Sequence, residues 1–193
     1  MIAAIIPAHD EATRVGHAVT SLHRQTRPPE RILVMSDGST DATVDVALRA
    51  GAEVLLTVDN PHHRAGAVNQ ALSTVRMGAG DLVLLLDPDA ELPPGFLDRA
   101  LTALQDRNVG AVPARASAVG GAAALVRWCA LEDVHRSFGR YCDEGPVAGH
   151  ARLALDLEAV GWRLAAPPEA EQDVPVRAPV EVLHRALAQP VAA

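Results

Sequence analysis

Cysteine is scarce in this 193-residue chain, with Cys129 and Cys142 the only two. Two thiols make neither a disulfide framework nor a zinc site, so a reduced, cytoplasmic setting is the expectation. Positive charge is short as well. Lys and Arg total 17 against 24 Asp and Glu, a net charge of -7, whereas general nucleic-acid binding needs a basic face to displace counterions. Nucleic acid is therefore not an expected partner, and phosphate would be handled through a bound metal. Long apolar runs are missing too, none approaching the roughly 18 residues needed to cross a bilayer. The opening MIAAIIPAHDE has no basic region and turns acidic by Asp10, unlike a secretory leader. Repeats are absent, and His62 and His63 are adjacent rather than spaced as metal ligands. These absences predict a soluble protein, or one that at most lies on a membrane surface.

What is present is an ordinary globular composition, 49% hydrophobic and 21% charged, at a length that suits one domain with a sizeable core. Apolar runs at 2–6, 32–35, 54–58 and 82–86 are continuous rather than alternating, as for strands covered on both faces of a parallel sheet. Between them, residues 11–25, 40–50 and 65–77 carry apolar side chains at helical spacing. Ser39 or Thr40 could cap the second of these helices, with Asp41 near its positive end. The rhythm is that of an open α/β sheet with helices on both faces.

The pattern changes near residue 116, which divides the chain into 1–116, a nucleotide-type sheet, and 117–193, a smaller acceptor-side segment of the same domain. Residues 122–141 read as an amphipathic helix with Leu125, Trp128, Leu131 and Val134 roughly on one face. That face would pack in the core or attach the protein to a membrane carrying a lipid-linked acceptor. A second helix is expected over 151–160, closed by Gly161, and the Pro- and acid-rich tail reads as extended or loop.

Ligands of open α/β sheets bind beyond the carboxyl ends of the strands. Here three ends are acidic and turn-forming: PAHDE (7–11), SDGSTD (36–41) and DPDAE (87–91). Alone, Asp87-Pro88-Asp89 reads either as loop punctuation or as a cation grip. Three such ends on one sheet edge favour a site. In an extended segment Asp87 and Asp89 would face the same side, with Pro88 holding Asp87 extended. Their carboxylates suit Mg2+ or Mn2+.

These stretches together resemble the family 2 glycosyltransferases, which have the GT-A fold. IIPAHDEATRVGHAVTSLHRQTRPPERILVMSDGSTDAT is similar to that family's first strand, first helix and Asp-Gly-Ser-Thr-Asp turn. NPHHRAGAVNQAL (60–72) is similar to its Lys/Arg-Ala-Gly-x-x-Asn segment, particularly in cellulose-synthase-like and poly-N-acetylglucosamine-synthase-like members. LLLDPDAELPPGFLDRALTAL is similar to its Asp-x-Asp strand and the helix start that follows. The resemblance implies a metal-assisted, inverting transfer of sugar from a nucleotide-sugar donor, with uridine the expected base, to a saccharide or lipid-linked acceptor. It assigns Asp37 to the base, Pro7, His9 and Glu11 to the same pocket, and Arg64 to the nucleotide, where a guanidinium suits phosphate. It assigns Asp87 to ribose or metal and Asp89 chiefly to metal.

The second half departs from the family. An inverting transfer needs a base for the acceptor proton, supplied in the family by the Asp of an acidic pair that opens a helix ending in Gly-Trp or Gly-Tyr. Counting back from Gly161-Trp162, that pair falls on Gly149-His150. His150 could serve as base, because imidazole titrates near neutrality; otherwise it is a loop or helix-start residue in a degenerate site. Asp143 and Glu144 lie a few residues upstream as substitutes, and Glu132-Asp133 belongs to an earlier helix. The Gln-x-x-Arg-Trp motif of processive members is missing, so polymer synthesis is not expected. Two other functions stay open: a nucleotide-sugar-binding module that transfers poorly, and a sugar nucleotidyltransferase, which AHDEATRVGH fits badly because it lacks a Gly-rich, basic loop.

Overall fold

The computed structural model describes residues 1–115, 122–143 and 150–166. Strand β1 (Ile2–Ala8) is followed by α1 (Val15–His23), β2 (Arg31–Ser36), α2 (Thr43–Arg49), β3 (Glu53–Leu56), α3 (His63–Thr74) and β4 (Leu82–Leu86). Then come α4 (Phe96–Ala103), β5 (Val109–Arg115), β6 (Ala122–Arg127), α5 (Trp128–Phe138), α6 (His150–Ala159) and β7 (Arg163–Leu164). The strands form one sheet in the order β3-β2-β1-β4-β6-β5-β7. β1 to β4 are parallel, β6 runs antiparallel between β4 and β5, and β7 returns parallel to β5. This is the mostly parallel α/β sheet expected.

Every residue of β1 is buried because helices cover both faces. Its alternate side chains feed two cores. Ile2, Ala4 and Ile6 join Val19 and Leu22 of α1, Ala47 of α2 and Phe96 and Leu97 of α4. Ala3 and Ile5 join Val68 and Leu72 of α3, Leu131 and Val134 of α5, and Leu153 and Leu157 of α6. The first three helices start and stop within a few residues of their expected bounds. α2 is not capped by a Ser39 or Thr40 side chain; the Asp41 carboxylate instead accepts the Thr43 N–H at 2.9 Å. Gly161 (φ 94°) ends the helical turn just beyond α6, as its left-handed backbone permits.

Two expectations are corrected. Residues 122–127 are not the start of a helix but strand β6, filling the gap between β4 and β5. Alanine favours helix, yet a buried central strand position overrides propensity. Leu125 consequently points into one core, while Trp128, Leu131 and Val134 of α5 point into the other. The four do not share a helix face, and all are buried, so they present no apolar stripe to a membrane. The 54–58 run is not covered on both faces either: β3 is an edge strand, with Leu56 66% and Val58 72% exposed. Just beyond it, the Gln70 side-chain amide accepts the Val58 N–H (2.9 Å) and donates to the Val58 carbonyl (2.8 Å). Among the described residues, no helix is long and apolar enough to cross a membrane.

Candidate functional site

The strand order reverses at β1, whose neighbours are β2 on one side and β4 on the other. Such a switch point opens a crevice at the carboxyl ends of the strands. A cavity of about 350 Å³ lies there, and its lining includes Pro7, His9 and Glu11 beyond β1, Asp37 beyond β2, Arg64 at the start of α3 and Pro88 beyond β4. Residues from four separate motifs of the sequence thus meet at one opening.

The turns after β1 and β2 are tied together by side chains. Asp10, in a left-handed backbone conformation (φ 52°), accepts the N–H groups of Thr40 (2.7 Å) and Asp41 (3.2 Å). Those amides hold its carboxyl below the usual range. In return, Thr43 Oγ1 accepts the Glu11 N–H at 2.7 Å and Asp41 accepts the Ala12 N–H at 3.1 Å. The Thr43 hydroxyl is the main cause of a lowered Asp41 pKa. His9 donates from Nδ1 to the Asp37 carbonyl at 2.5 Å, which raises its pKa. These bonds fix the pocket wall on which Asp37 stands.

The Asp37 side chain is itself held. Thr57 Oγ1 donates to its Oδ1 at 2.7 Å and Asn60 Nδ2 at 2.8 Å. Neither residue was singled out from the sequence. The Asn60-Pro61 pair that opens NPHHRAG was the available signal, being a turn dipeptide beside a strand end.

On the opposite wall Arg64 forms an ion pair with Asp87, whose side chain is only 12% exposed. Burial lowers the Arg64 pKa and the charge of Asp89 opposes that shift, but a guanidinium remains protonated throughout the working range. Asp87 and Asp89 are not on an extended segment as expected. The Ala90 N–H bonds to the Asp87 carbonyl at 3.0 Å, so Pro88 and Asp89 form the centre of a turn, where proline's fixed φ suits the first central position. Asp87 is buried against Arg64 while Asp89 is exposed.

No group of three or more His, Cys, Asp or Glu that could hold a metal occurs among the described residues. A closed zinc site needs four protein ligands, so it does not fit. Mg2+ and Mn2+ need fewer protein ligands, keeping water and substrate phosphate as the rest, and the carboxylates available at this turn are the exposed Asp89 and the Arg64-paired Asp87.

The segment after α5 is held to α3 by Asn69, which donates to the Cys142 carbonyl (3.0 Å) and accepts its N–H (2.8 Å). Burial pushes the Cys142 thiol up to about 12. Asp143 is engaged by Arg152 (3.0 Å) and Arg140 (3.5 Å), which also grip the buried Asp156. Asp133 accepts from Trp162 Nε1 at 3.0 Å and pairs with Arg136 at 2.6 Å. Both aspartates thus have structural partners. His150 is the first residue of α6, and its side chain lies outside the described residues, as do Glu144 and Gly149.

The profile of glycosyl transferase family 2 matches residues 3–136. The 4,4'-diaponeurosporenoate glycosyltransferase of Staphylococcus aureus is 46% identical over 56 residues, which are 29% of this chain and 15% of that protein. Mannosyltransferase PcManGT from Pyrobaculum calidifontis, solved in complex with GDP-Man and Mn2+, superposes with a TM-score of 0.70 at 22% identity. That superposition covers 87% of this chain and 55% of the mannosyltransferase, so the chain spans about half the length of that structure. The likeness is one of fold, the GT-A fold. Sequence match and fold agree, and the match takes in well over half of the chain: the protein belongs to glycosyl transferase family 2.

Proposed function

We propose that the cavity at the β1/β4 switch point binds a nucleoside-diphosphate sugar together with Mg2+ or Mn2+, and that the protein transfers the sugar with inversion. The observation that carries this reading is the meeting of Pro7, His9, Glu11, Asp37, Arg64 and Pro88 around one cavity, with Asp87 and Asp89 on either side of Pro88. Both side-chain bonds to the Asp37 carboxylate fall on Oδ1, which leaves Oδ2 to accept a base N–H, as uracil offers. Arg64 meets the diphosphate. Asp89, with Asp87, would hold the cation, which would supply positive charge to the departing diphosphate. Arg64 leaves Asp87 only by exchanging one anion for another, so donor phosphate would compete with Asp87 for the guanidinium. The acceptor hydroxyl then bonds to the sugar C1 as the C1–O bond to phosphate breaks, and its proton passes to a base. A saccharide or lipid-linked acceptor suits this chemistry.

Calorimetry with UDP tests the donor reading. Affinity is expected to rise when Mn2+ is added, and Asp87→Ala/Asp89→Ala is expected to remove that gain. Equal affinity in wild type and double variant would refute the metal assignment.

A second reading is favoured by one feature of the sequence: Gly149-His150 stands where the family carries its acidic pair. On that reading the protein holds donor and transfers it poorly.

A further inference from the structure

We infer that Asn60 and Thr57 are positioning residues that aim the Asp37 carboxylate at the nucleotide base, and that Gly66 is glycine to make room for Asn60. The inference rests on the proposed role of Asp37 in reading the base.

Asn60 sits at the centre of a small polar knot. Its Nδ2 donates to Asp37 Oδ1 (2.8 Å) and to the His63 carbonyl (2.6 Å), and its Oδ1 accepts the His62 N–H (3.3 Å). Both partners of the nitrogen are acceptors and the partner of the oxygen is a donor, so the orientation of the amide is dictated by its surroundings. The backbone around it is bent to bring these groups together, with Asp59 (φ 44°) and His63 (φ 48°) both left-handed. Such backbone is unfavourable for residues other than glycine and persists where surrounding contacts over-determine it.

Gly66 lies under this amide, on the first turn of α3. A Cβ there would lie 1.9 Å from Asn60 Oδ1 and 2.9 Å from its Cγ. No side chain fits without expelling Asn60, so the glycine of the Arg-Ala-Gly segment serves the amide rather than the helix, where glycine is unfavourable. Thr57 completes the hold from the end of β3, donating its hydroxyl to the same oxygen at 2.7 Å. Two donors on Oδ1 fix the plane of the carboxylate, so its second oxygen is presented to ligand in one direction. A carboxylate free to rotate would lose that preorganisation.

The test separates base from phosphate. Affinities for UDP, GDP and inorganic diphosphate are measured by calorimetry with Mn2+ present, for wild type, Asp37→Ala, Asn60→Ala, Thr57→Val, Gly66→Ala and Asn60→Ala/Gly66→Ala. Asn60→Ala and Thr57→Val are expected to weaken the tighter nucleotide by about tenfold, the scale of a charge-assisted hydrogen bond, with diphosphate affinity unchanged. Gly66→Ala is expected to match Asn60→Ala, and the double variant to be no weaker than either single one, because both act through one amide.

Unchanged nucleotide affinity in Asn60→Ala and Thr57→Val, with a loss in Asp37→Ala, would overturn the positioning role and leave the base reading standing. Equal losses for nucleotide and diphosphate would also overturn it, showing that Asn60 merely holds the loop bearing Arg64. An Asp37→Ala variant of full affinity would remove the base reading and this inference with it. Thr57→Val lies outside the bent loop and nearly preserves side-chain shape, so it decides the matter should the Asn60 variants fail to fold.

Discussion

At the scale of single residues, the pocket depends on charges whose settings differ. Asp10 is exposed, yet its carboxylate holds two backbone N–H groups of the neighbouring turn. Its folded pKa lies below the ordinary value of 3.8. A lowered carboxyl pKa contributes stability above the unfolded value, and that contribution is lost as pH falls through the folded one. His9 has the opposite sign: its raised pKa contributes below the ordinary 6.5, and the contribution disappears as pH rises through the shifted value. Thermal melts across pH should therefore show Asp10→Ala converging on wild type below about pH 4 and His9→Ala converging above about pH 7. A gap that is flat in pH for both variants would mean that neither bond contributes through charge.

At the scale of elements, much was legible. Strands β1, β2 and β4 announce themselves as continuous apolar runs, and three acidic strand ends marked the opening where the cavity lies. β6 was misread because AAALVR carries helix-favouring alanines and no alternation; burial on both faces erases the period that distinguishes a strand from a helix. Asn60 and Thr57 were missed for a different reason. Their roles depend on a carboxylate more than 19 residues away in sequence, and no local pattern encodes such a meeting. At Asp87-Pro88-Asp89 the proline suits an extended segment and a turn alike, and neither the hydrogen bond that selects the turn nor the ion pair that splits the two aspartates was legible.

The corrected β6–α5 boundary carries a prediction of its own. Leu131 is fully buried among α3, α5 and α6 side chains, so Leu131→Ala should cost about 2–5 kcal/mol, the range for truncating a core leucine. Chemical denaturation measures that cost. Liposome co-sedimentation at low salt should be negligible for wild type if no other segment supplies a membrane contact. A Leu131→Ala variant of unchanged stability that binds vesicles less than wild type does would restore the membrane reading of this helix.

At the scale of the whole molecule, α3 stitches the pocket beyond β1, β2 and β4 to the segment after α5. Its first turn bears Arg64, and its Asn69 holds Cys142. In the proposed reaction the candidate base for the acceptor proton is His150, the first residue of α6. Absence of a positioned base typically costs about 10²–10⁴-fold in rate, while donor binding is untouched. Turnover of UDP-sugar should therefore be slow in wild type and rise in His150→Asp. If His150 acts as base, the wild-type rate should fall as pH drops through about 6.5, and His150→Ala should abolish that limb. Fast turnover unaffected by either substitution, measured by UDP release across pH 5 to 9, would place the base elsewhere.

One small contact also bears on the exposed edge of the sheet. A sheet that ends in a strand with bare main-chain groups and greasy side chains invites a neighbour to zip on, and Leu56 and Val58 supply the grease. Gln70 forestalls this at Val58, because its amide mimics one rung of an adjoining strand and leaves a newcomer nothing to pair with there. The helix that carries Arg64 thereby also guards the edge of its own sheet at this point.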